Sequence, residues 1–104
     1  MLIHASCVAI HHIAVLLAGP AGIGKSDLAL RLIDEGAQLI ADDQALLTKK
    51  ESDLIASAPE SIRGLFEARH IGLLQMPFLQ AASVGLYVDL VAPDEWKYIL
   101  KLAK

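Results

Sequence analysis

Residues 19–26, with the sequence Gly-Pro-Ala-Gly-Ile-Gly-Lys-Ser, are the feature that most constrains the fold of this chain. Two glycines separated by four residues and followed by Lys and Ser are typical of a phosphate-binding loop. The apolar run 13–18 precedes the loop, and the amphipathic segment 25–35 follows it. This order of strand, loop and helix predicts an α/β domain that binds a nucleotide phosphate. The alternative is a chance match in an ordinary glycine-containing turn.

Each residue type in the predicted loop suits phosphate binding. Glycines let backbone N–H groups close around phosphate oxygens, and the N-terminus of the following helix adds positive potential. Lys25 can reach the β- and γ-phosphates of a nucleotide, and Ser26 can offer its hydroxyl to Mg²⁺. The predicted nucleotide-binding residues are therefore Gly19, Pro20, Ala21, Gly22, Ile23, Gly24, Lys25 and Ser26.

The spacing of apolar residues predicts the elements around the loop. Residues 6–10 and 13–18 predict two strands joined by a tight turn at His11 and His12, which we expect to be exposed there rather than to bind a metal. The second strand is apolar on both faces, as in the centre of a covered sheet. Residues 25–35 predict a helix with one apolar face.

The rest of the chain predicts further strands and two more helices. Short apolar runs predict strands over 38–41, from 45 to 48 and over 86–92. Pro59 precedes a predicted helix from 60 to about 68, and Pro93 begins a predicted terminal helix that carries Trp96, Ile99 and Leu100. We therefore expect a single α/β domain over residues 1–104, with a mixed β-sheet flanked by helices.

Charge and cysteine content exclude some classes of function. The formal net charge is -3 and the nine Lys and Arg residues are scattered, so we expect no binding to nucleic acid. The single cysteine, Cys7, lies in an apolar run and is interpreted as a buried thiol in a reducing compartment. No apolar stretch approaches the roughly 20 residues that cross a bilayer, so we expect no membrane span and a cytoplasmic location.

The hydrophobic content of 55% is high for a chain of 104 residues. A small domain has much surface for its volume, so some of these side chains must remain exposed or be covered by another chain. We expect a homo-oligomer. The predicted contact surfaces are residues 73–79 and the terminal helix with Trp96.

The adjacent carboxylates Asp42 and Asp43 follow the predicted strand 38–41, at the edge where α/β sheets bind ligands. One carboxylate can serve Mg²⁺ or its water shell, while the other takes a proton from a hydroxyl nucleophile. The alternative is a solvated acidic turn. Arg63, Glu67 and Arg69 would by themselves be an ordinary solvated face of a helix.

Four landmarks together resemble the catalytic domain of the HPr kinase/phosphorylase family over nearly the whole chain. His4 stands fifteen residues before Gly19, as a histidine does in that family. The phrase Leu-Ile-Ala-Asp-Asp is present at 39–43, and Ala-Pro at 58–59 leads to Phe-Glu-Ala-Arg-His-Ile-Gly at 66–72. With the loop, these landmarks occur in the family's order and at its spacing.

The resemblance implies a phosphate-loop kinase fold of the HPr kinase/PEP carboxykinase-like type. Its activity would be ATP- and Mg²⁺-dependent phosphorylation of a serine of the phosphocarrier protein HPr, often with dephosphorylation by inorganic phosphate. By the resemblance Lys25 binds phosphate, Ser26 and Glu67 hold Mg²⁺, and Asp43 is the base, with Asp42 and His4 in support. Family members form hexamers, which agrees with the expected oligomer.

The chain also departs from the family pattern. His70 replaces an expected glycine, and residues 77–82 differ from the family's glycine-rich continuation. The family's downstream arginine and dephosphorylation segment have no counterpart after Trp96, and the chain resembles the short forms without an N-terminal regulatory domain. Two other functions therefore remain open: a kinase of this fold with another acceptor, or a catalytically weak nucleotide-binding regulatory module.

Overall fold

The computed structural model describes residues 1–68, 70–91 and 98–101. Within them lie one α-helix, a short 3-10 helix and ten strands. In chain order these are β1 Leu2–Ile3, β2 Ala5–Ile10, β3 Ile13–Ala18, α1 Lys25–Asp34, β4 Gln38–Ala41, β5 Ala45–Lys50, β6 Asp53–Ser57, the 3-10 helix Glu60–Ile62, β7 Leu65–Ala68, β8 Gly72–Gln75, β9 Ala81–Leu90 and β10 Tyr98–Lys101. The predicted strands β2 to β5 and helix α1 are confirmed, and β9 contains most of the strand predicted over 86–92.

The main sheet is mixed, as predicted, and has the order β1-β5-β6-β9-β3-β2-β4, with β10 also paired to β9. Strands β3 and β9 are parallel, and the other pairs of this sheet are antiparallel. Leu2 pairs with Leu46. Cys7, five residues after Leu2, pairs with Ala41, five residues before Leu46. The pairs from Leu2–Leu46 to Cys7–Ala41 therefore share one register, which shifts by one residue between Cys7 and Val8, and the sheet bends back on itself like a small barrel.

Two hydrophobic clusters stabilise this arrangement, one on each side of the sheet. The cluster inside the curved sheet is rich in alanine, which suits a narrow interior, and it contains Ala14, Leu16 and Ala18 of β3. The other cluster joins Val15 and Leu17 of the same strand to helix α1. Strand β3 is therefore covered on both faces, as its apolar sequence predicts.

Cys7 lies in the inner cluster and is fully buried. Burial raises the pKa of its thiol to about 12, although a backbone hydrogen bond from Val15 acts in the opposite direction. The thiol is therefore neutral at ordinary pH, in agreement with the expected buried structural role.

The predicted helix over residues 60–68 is wrong. The 3-10 helix ends at Ile62, Gly64 has a left-handed backbone with φ of 76°, and strand β7 then pairs with β8. Along β7 the side chains of Phe66 and Ala68 are buried and that of Glu67 is exposed, which is the alternation of a half-buried strand. Over so short a segment, the spacing of the apolar residues fits both the 3.6-residue period of a helix and the two-residue period of a strand. The pairing with β8 shows that the segment is a strand.

The predicted terminal helix is also wrong where the structure describes it. Ile99 and Leu100 belong to strand β10, which pairs with β9. Trp96 lies outside the described residues. In the described part of the chain α1 is the only α-helix, so the expectation of a sheet flanked by several helices does not hold there.

Helix α1 has ten residues, and in the described residues no helix is long and apolar enough to cross a membrane.

Candidate nucleotide site

The glycine-rich loop, residues 19–24, connects the end of β3 to the start of α1. Three of its glycines have backbones that other residues rarely adopt: φ is 142° at Gly19, 82° at Gly22 and 107° at Gly24. At Gly19 space is limiting as well, since a Cβ there would lie 2.8 Å from the carbonyl oxygen of Leu90. The loop shape therefore requires glycine at these positions.

We expect Gly19→Ala to destabilise the protein by about 1 to 3 kcal/mol because the added methyl group meets backbone that cannot easily move. Gly22→Ala is the matched control, since φ is positive there too but nothing lies within 4 Å of an added Cβ. Its cost should be the smaller one, about 1 kcal/mol for the left-handed backbone alone. Urea unfolding measures both, and equal costs would contradict the close approach of Gly19 to β9.

Lys25 is the first residue of α1 and is only 7% exposed. Its ammonium Nζ donates a hydrogen bond of 2.7 Å to the carbonyl oxygen of Gly19, so the charge is held over the loop. Beside it lies an open cleft of about 260 Å³, lined by Ala21, Gly22, Gly24, Lys25, Ser26, Asp27, Asp43 and Glu67. This is less than the roughly 300 to 1,000 Å³ of sites that enclose a small organic ligand, and it suits a polyphosphate group.

Asp42 follows β4 and connects three other elements of the site. Its Oδ1 atom accepts hydrogen bonds from the hydroxyls of Ser6 at 3.0 Å and Ser26 at 2.8 Å. Its Oδ2 atom accepts one from the backbone N–H of Glu67 at 3.0 Å. A carboxylate that is 8% exposed needs such donors, because a buried charge without them is costly. Asp42 therefore fixes β2, α1 and β7 relative to one another.

Asp43 is exposed at the cleft and has an unusual backbone. Its φ is 71°, and the backbone N–H of Gln44 donates a 2.8 Å hydrogen bond to the carbonyl oxygen of Asp42. A bond between residues two apart around a positive φ is a γ-turn of the rare, strained kind. Aspartate tolerates positive φ better than most residues. Strain of this kind is common at functional sites, where the surrounding structure maintains it.

Glu67 lines the same cleft from strand β7. Its neighbours Phe66 and Ala68 are buried, so the alternation of the strand directs the Glu67 side chain outward. The expected acidic residue is therefore at the cleft, although a strand rather than a helix presents it.

The acidic and hydroxyl groups at the cleft suit Mg²⁺. This ion prefers oxygen ligands and is usually bound by one or two carboxylates together with substrate phosphates. Ser26, Asp43 and Glu67 supply such oxygens around the loop. In the described residues no group of three or more His, Cys, Asp or Glu side chains is placed to hold a metal ion by itself.

Comparison with known proteins agrees with this arrangement. The family model described as the HPr Serine kinase C-terminal domain matches residues 1–91. The chain belongs to this family. An HPr kinase/phosphorylase of Caldanaerobacter subterraneus is 41% identical over 108 residues, which cover 96% of this chain and 35% of that protein. An HPr kinase/phosphorylase of Clostridium tetani is 34% identical and covers 91% of this chain.

A solved structure of the Hpr(Ser) kinase/phosphatase from Coxiella burnetii has the same fold. The TM-score is 0.85 at 33% identity, covering 91% of this chain and 68% of that chain. The chain spans about a third of the length of the curated relatives it matches. The resemblance expected from the four landmarks is therefore confirmed, and the fold is that of the HPr kinase C-terminal domain.

His4 lies between β1 and β2, is exposed and does not line the cleft. Ile3 pairs with Ala45, so the same register places His4 opposite Gln44, one residue from Asp43. In the part of the chain that the structure describes, no hydrogen bond of the His4 side chain is present. A supporting role next to Asp43 stays a prediction.

The two histidines of the β2–β3 hairpin do not line the cleft. His11 and His12 have φ of 50° and 65° and form the two-residue turn between β2 and β3. Positive φ at both positions is the turn geometry that suits the twist of a β-hairpin. Their predicted position in an exposed turn is confirmed.

Ser6 is a site residue that the sequence analysis missed. It is completely buried in β2, and its hydroxyl contacts both aspartates. The available signal was a hydroxyl inside an otherwise apolar strand. Arg63, predicted on a solvated face, is half-buried, and Arg69 lies outside the described residues.

Proposed function

We propose that this chain is an ATP- and Mg²⁺-dependent protein serine kinase that acts on an HPr-type phosphocarrier protein in the cytoplasm. The observation that carries the proposal is the convergence on one cleft of Lys25, Ser26, Asp43 and Glu67 around the buried carboxylate of Asp42. The names of the relatives support HPr as the acceptor.

In the proposed reaction the loop 19–24 and Lys25 bind the β- and γ-phosphates of ATP. The backbone N–H groups at the start of α1 have no partner within the helix, so they add donors to that site. Ser26 and Glu67 would hold Mg²⁺, which supplies charge neutralisation on the phosphate oxygens. Asp42 keeps the Ser26 hydroxyl oriented through its hydrogen bond.

Asp43 is the proposed base for the acceptor. Its carboxylate takes the proton from the serine hydroxyl, the hydroxyl oxygen bonds to the γ-phosphorus, and ADP leaves with the bridging oxygen and its electron pair. The exposed position of Asp43 at the cleft supports this role, since a protein substrate must reach it. His4, which the register places opposite Gln44 and so one residue from Asp43, is proposed to support the same step. In the proposed dephosphorylation, an oxygen of inorganic phosphate bonds to the phosphorus of phosphoserine, the serine oxygen leaves and takes a proton, and pyrophosphate and the free serine hydroxyl are formed.

A comparison of acceptors tests the proposed function. The chain is incubated with labelled ATP and Mg²⁺ and with HPr, an HPr variant without the acceptor serine, or a panel of small hydroxyl compounds. The proposal predicts label on HPr alone. Label on a small compound would show a kinase of this fold with another acceptor, and ATP binding without any transfer would favour a regulatory module.

We also propose that the protein is a homo-oligomer, with a hexamer as the family precedent. The β7–β8 hairpin exposes large apolar side chains: Ile71 is 74% and Leu73 is 66% exposed. Leu73→Glu is expected to weaken assembly, because it places a charge in an apolar contact. Light scattering at micromolar concentration should show an oligomer for the parent and a smaller species for the variant, whereas a monomeric parent would refute the proposal.

A further inference from the structure

We propose that Ser6 is a positioning residue that holds the aspartate pair by binding the carboxylate of Asp42 and the backbone amide of Asp43 at the same time. The proposal rests on the proposed function only in assigning the two aspartates to phosphoryl transfer. The contact between Ser6 and the turn at Asp43 does not depend on that function.

The chemistry of the three groups fixes the direction of both hydrogen bonds. A hydroxyl has one proton to donate and two lone pairs to accept with. An ionised carboxylate only accepts, so the Ser6 proton is directed to Oδ1 of Asp42 at 3.0 Å. A backbone amide only donates, so Asp43 N–H is directed to the Ser6 oxygen at 3.2 Å. Ser6 is 0% exposed, so water cannot replace it at low cost.

The position of Ser6 in the sheet explains why a side chain is needed there. Pairing of the two segments stops after Ile3 and Ala45 and resumes at Cys7 and Ala41. Within this interruption the continuous register places Ser6 opposite Asp42. The Ser6 hydroxyl oxygen accepts a hydrogen bond from the Asp43 N–H, in the place of the backbone carbonyl oxygen that would accept it in regular strand pairing. A break in strand pairing of this kind can re-aim a side chain at a site.

The strained turn at Asp43 makes this contact consequential. A residue in a rarely populated conformation stays there only while its surroundings hold it. Without the Ser6 hydroxyl, the Asp43 amide loses its hydrogen bond and Asp42 loses one of its donors. The γ-turn can then relax and shift the Asp43 carboxylate along the cleft. In the described residues no hydrogen bond joins Ser6 to Lys25 or to the loop 19–24, and without Ser6 Asp42 keeps its hydrogen bonds from Ser26 and Glu67, so ATP binding should change little.

The kinetic test compares Ser6→Ala, Ser6→Thr and Ser57→Ala in the full chain. Ser6→Ala should lower kcat for transfer to HPr by about 10- to 100-fold, the scale expected for misplacement of a reacting group. The KM for ATP should stay within about threefold, because ground-state binding is not the interaction removed. Ser6→Thr keeps the hydroxyl and should recover most of the lost rate. Ser57→Ala, on strand β6 away from the cleft, should behave as the parent.

Hydrogen exchange at the Asp43 amide tests the same contact without any activity. Exchange in Ser6→Ala should be faster by about tenfold or more, while the other two variants match the parent. If the parent transfers no phosphoryl group, the proposed function fails and exchange alone decides the role of Ser6. Unchanged exchange would overturn the role, as would an equal loss of kcat in Ser6→Ala and Ser57→Ala. If Ser6→Ala does not fold, Ser6→Cys, with similar volume and weak hydrogen bonding, replaces it in both measurements.

Discussion

Asp43→Asn is expected to retain ATP binding and to transfer the phosphoryl group to HPr more slowly by about 10²-fold or more, the usual scale of general-base catalysis. Asparagine has nearly the same shape and also tolerates the positive φ of 71° at this position, so the γ-turn should persist. Its amide, however, cannot take the proton of the serine hydroxyl. Single-turnover transfer measured beside calorimetric ATP binding separates the two effects.

Asp42→Asn is the companion variant for this prediction. It should slow transfer less than Asp43→Asn, but it should lower the free energy of unfolding by about 1 to 3 kcal/mol, since an amide cannot satisfy all the donors that Asp42 accepts from. If Asp42→Asn is the slower enzyme, the base is Asp42. If neither variant slows transfer, the acidic pair is only a solvated turn.

Lys25→Ala is expected to weaken ATP binding by about 100-fold or more, because it removes charge-assisted hydrogen bonds worth up to ~3 kcal/mol. Among the described residues that line the cleft, Lys25 carries the only basic side chain. The fold should survive, since the ammonium of Lys25 donates its hydrogen bond to the loop carbonyl oxygen of Gly19 rather than to a buried acid.

The matched control for this variant is Lys50→Ala, at the exposed end of strand β5. It removes the same charge from a position away from the cleft and should leave ATP affinity unchanged. Calorimetry gives the affinity, and circular dichroism shows whether both variants are folded. Equal ATP affinity in Lys25→Ala and the parent would reject the assignment of the loop.

Sequence reasoning located the elements whose signals are local. The loop 19–24 and helix α1 follow from glycine positions and apolar spacing within a dozen residues. Strand β7 was missed because Ile62, Leu65 and Phe66 fit a helical spacing as well as a short strand. The left-handed backbone of Gly64 and the pairing with β8 decide its structure, and neither is visible in local periodicity.

The residues of the candidate site also divide into those with a local sequence signal and those that depend on pairing between distant segments. Lys25 and Ser26 follow from the loop pattern, and Asp42, Asp43, Glu67 and His4 were carried by the family resemblance. The role of Ser6 depends on long-range pairing, since 36 residues separate it from Asp42 in the chain. The γ-turn at Asp43 likewise exists only where strand pairing is interrupted. Such features require the register between distant segments, which a single sequence does not specify.

The most direct test of the central claim is to locate the transferred phosphate. HPr is incubated with the chain, Mg²⁺ and ATP labelled at the γ-position, and the modified residue is identified by mass spectrometry. The proposed site predicts phosphoserine on HPr with the parent, and little or none with Asp43→Asn or Lys25→Ala. Unmodified HPr in the presence of a chain that binds ATP would contradict the account.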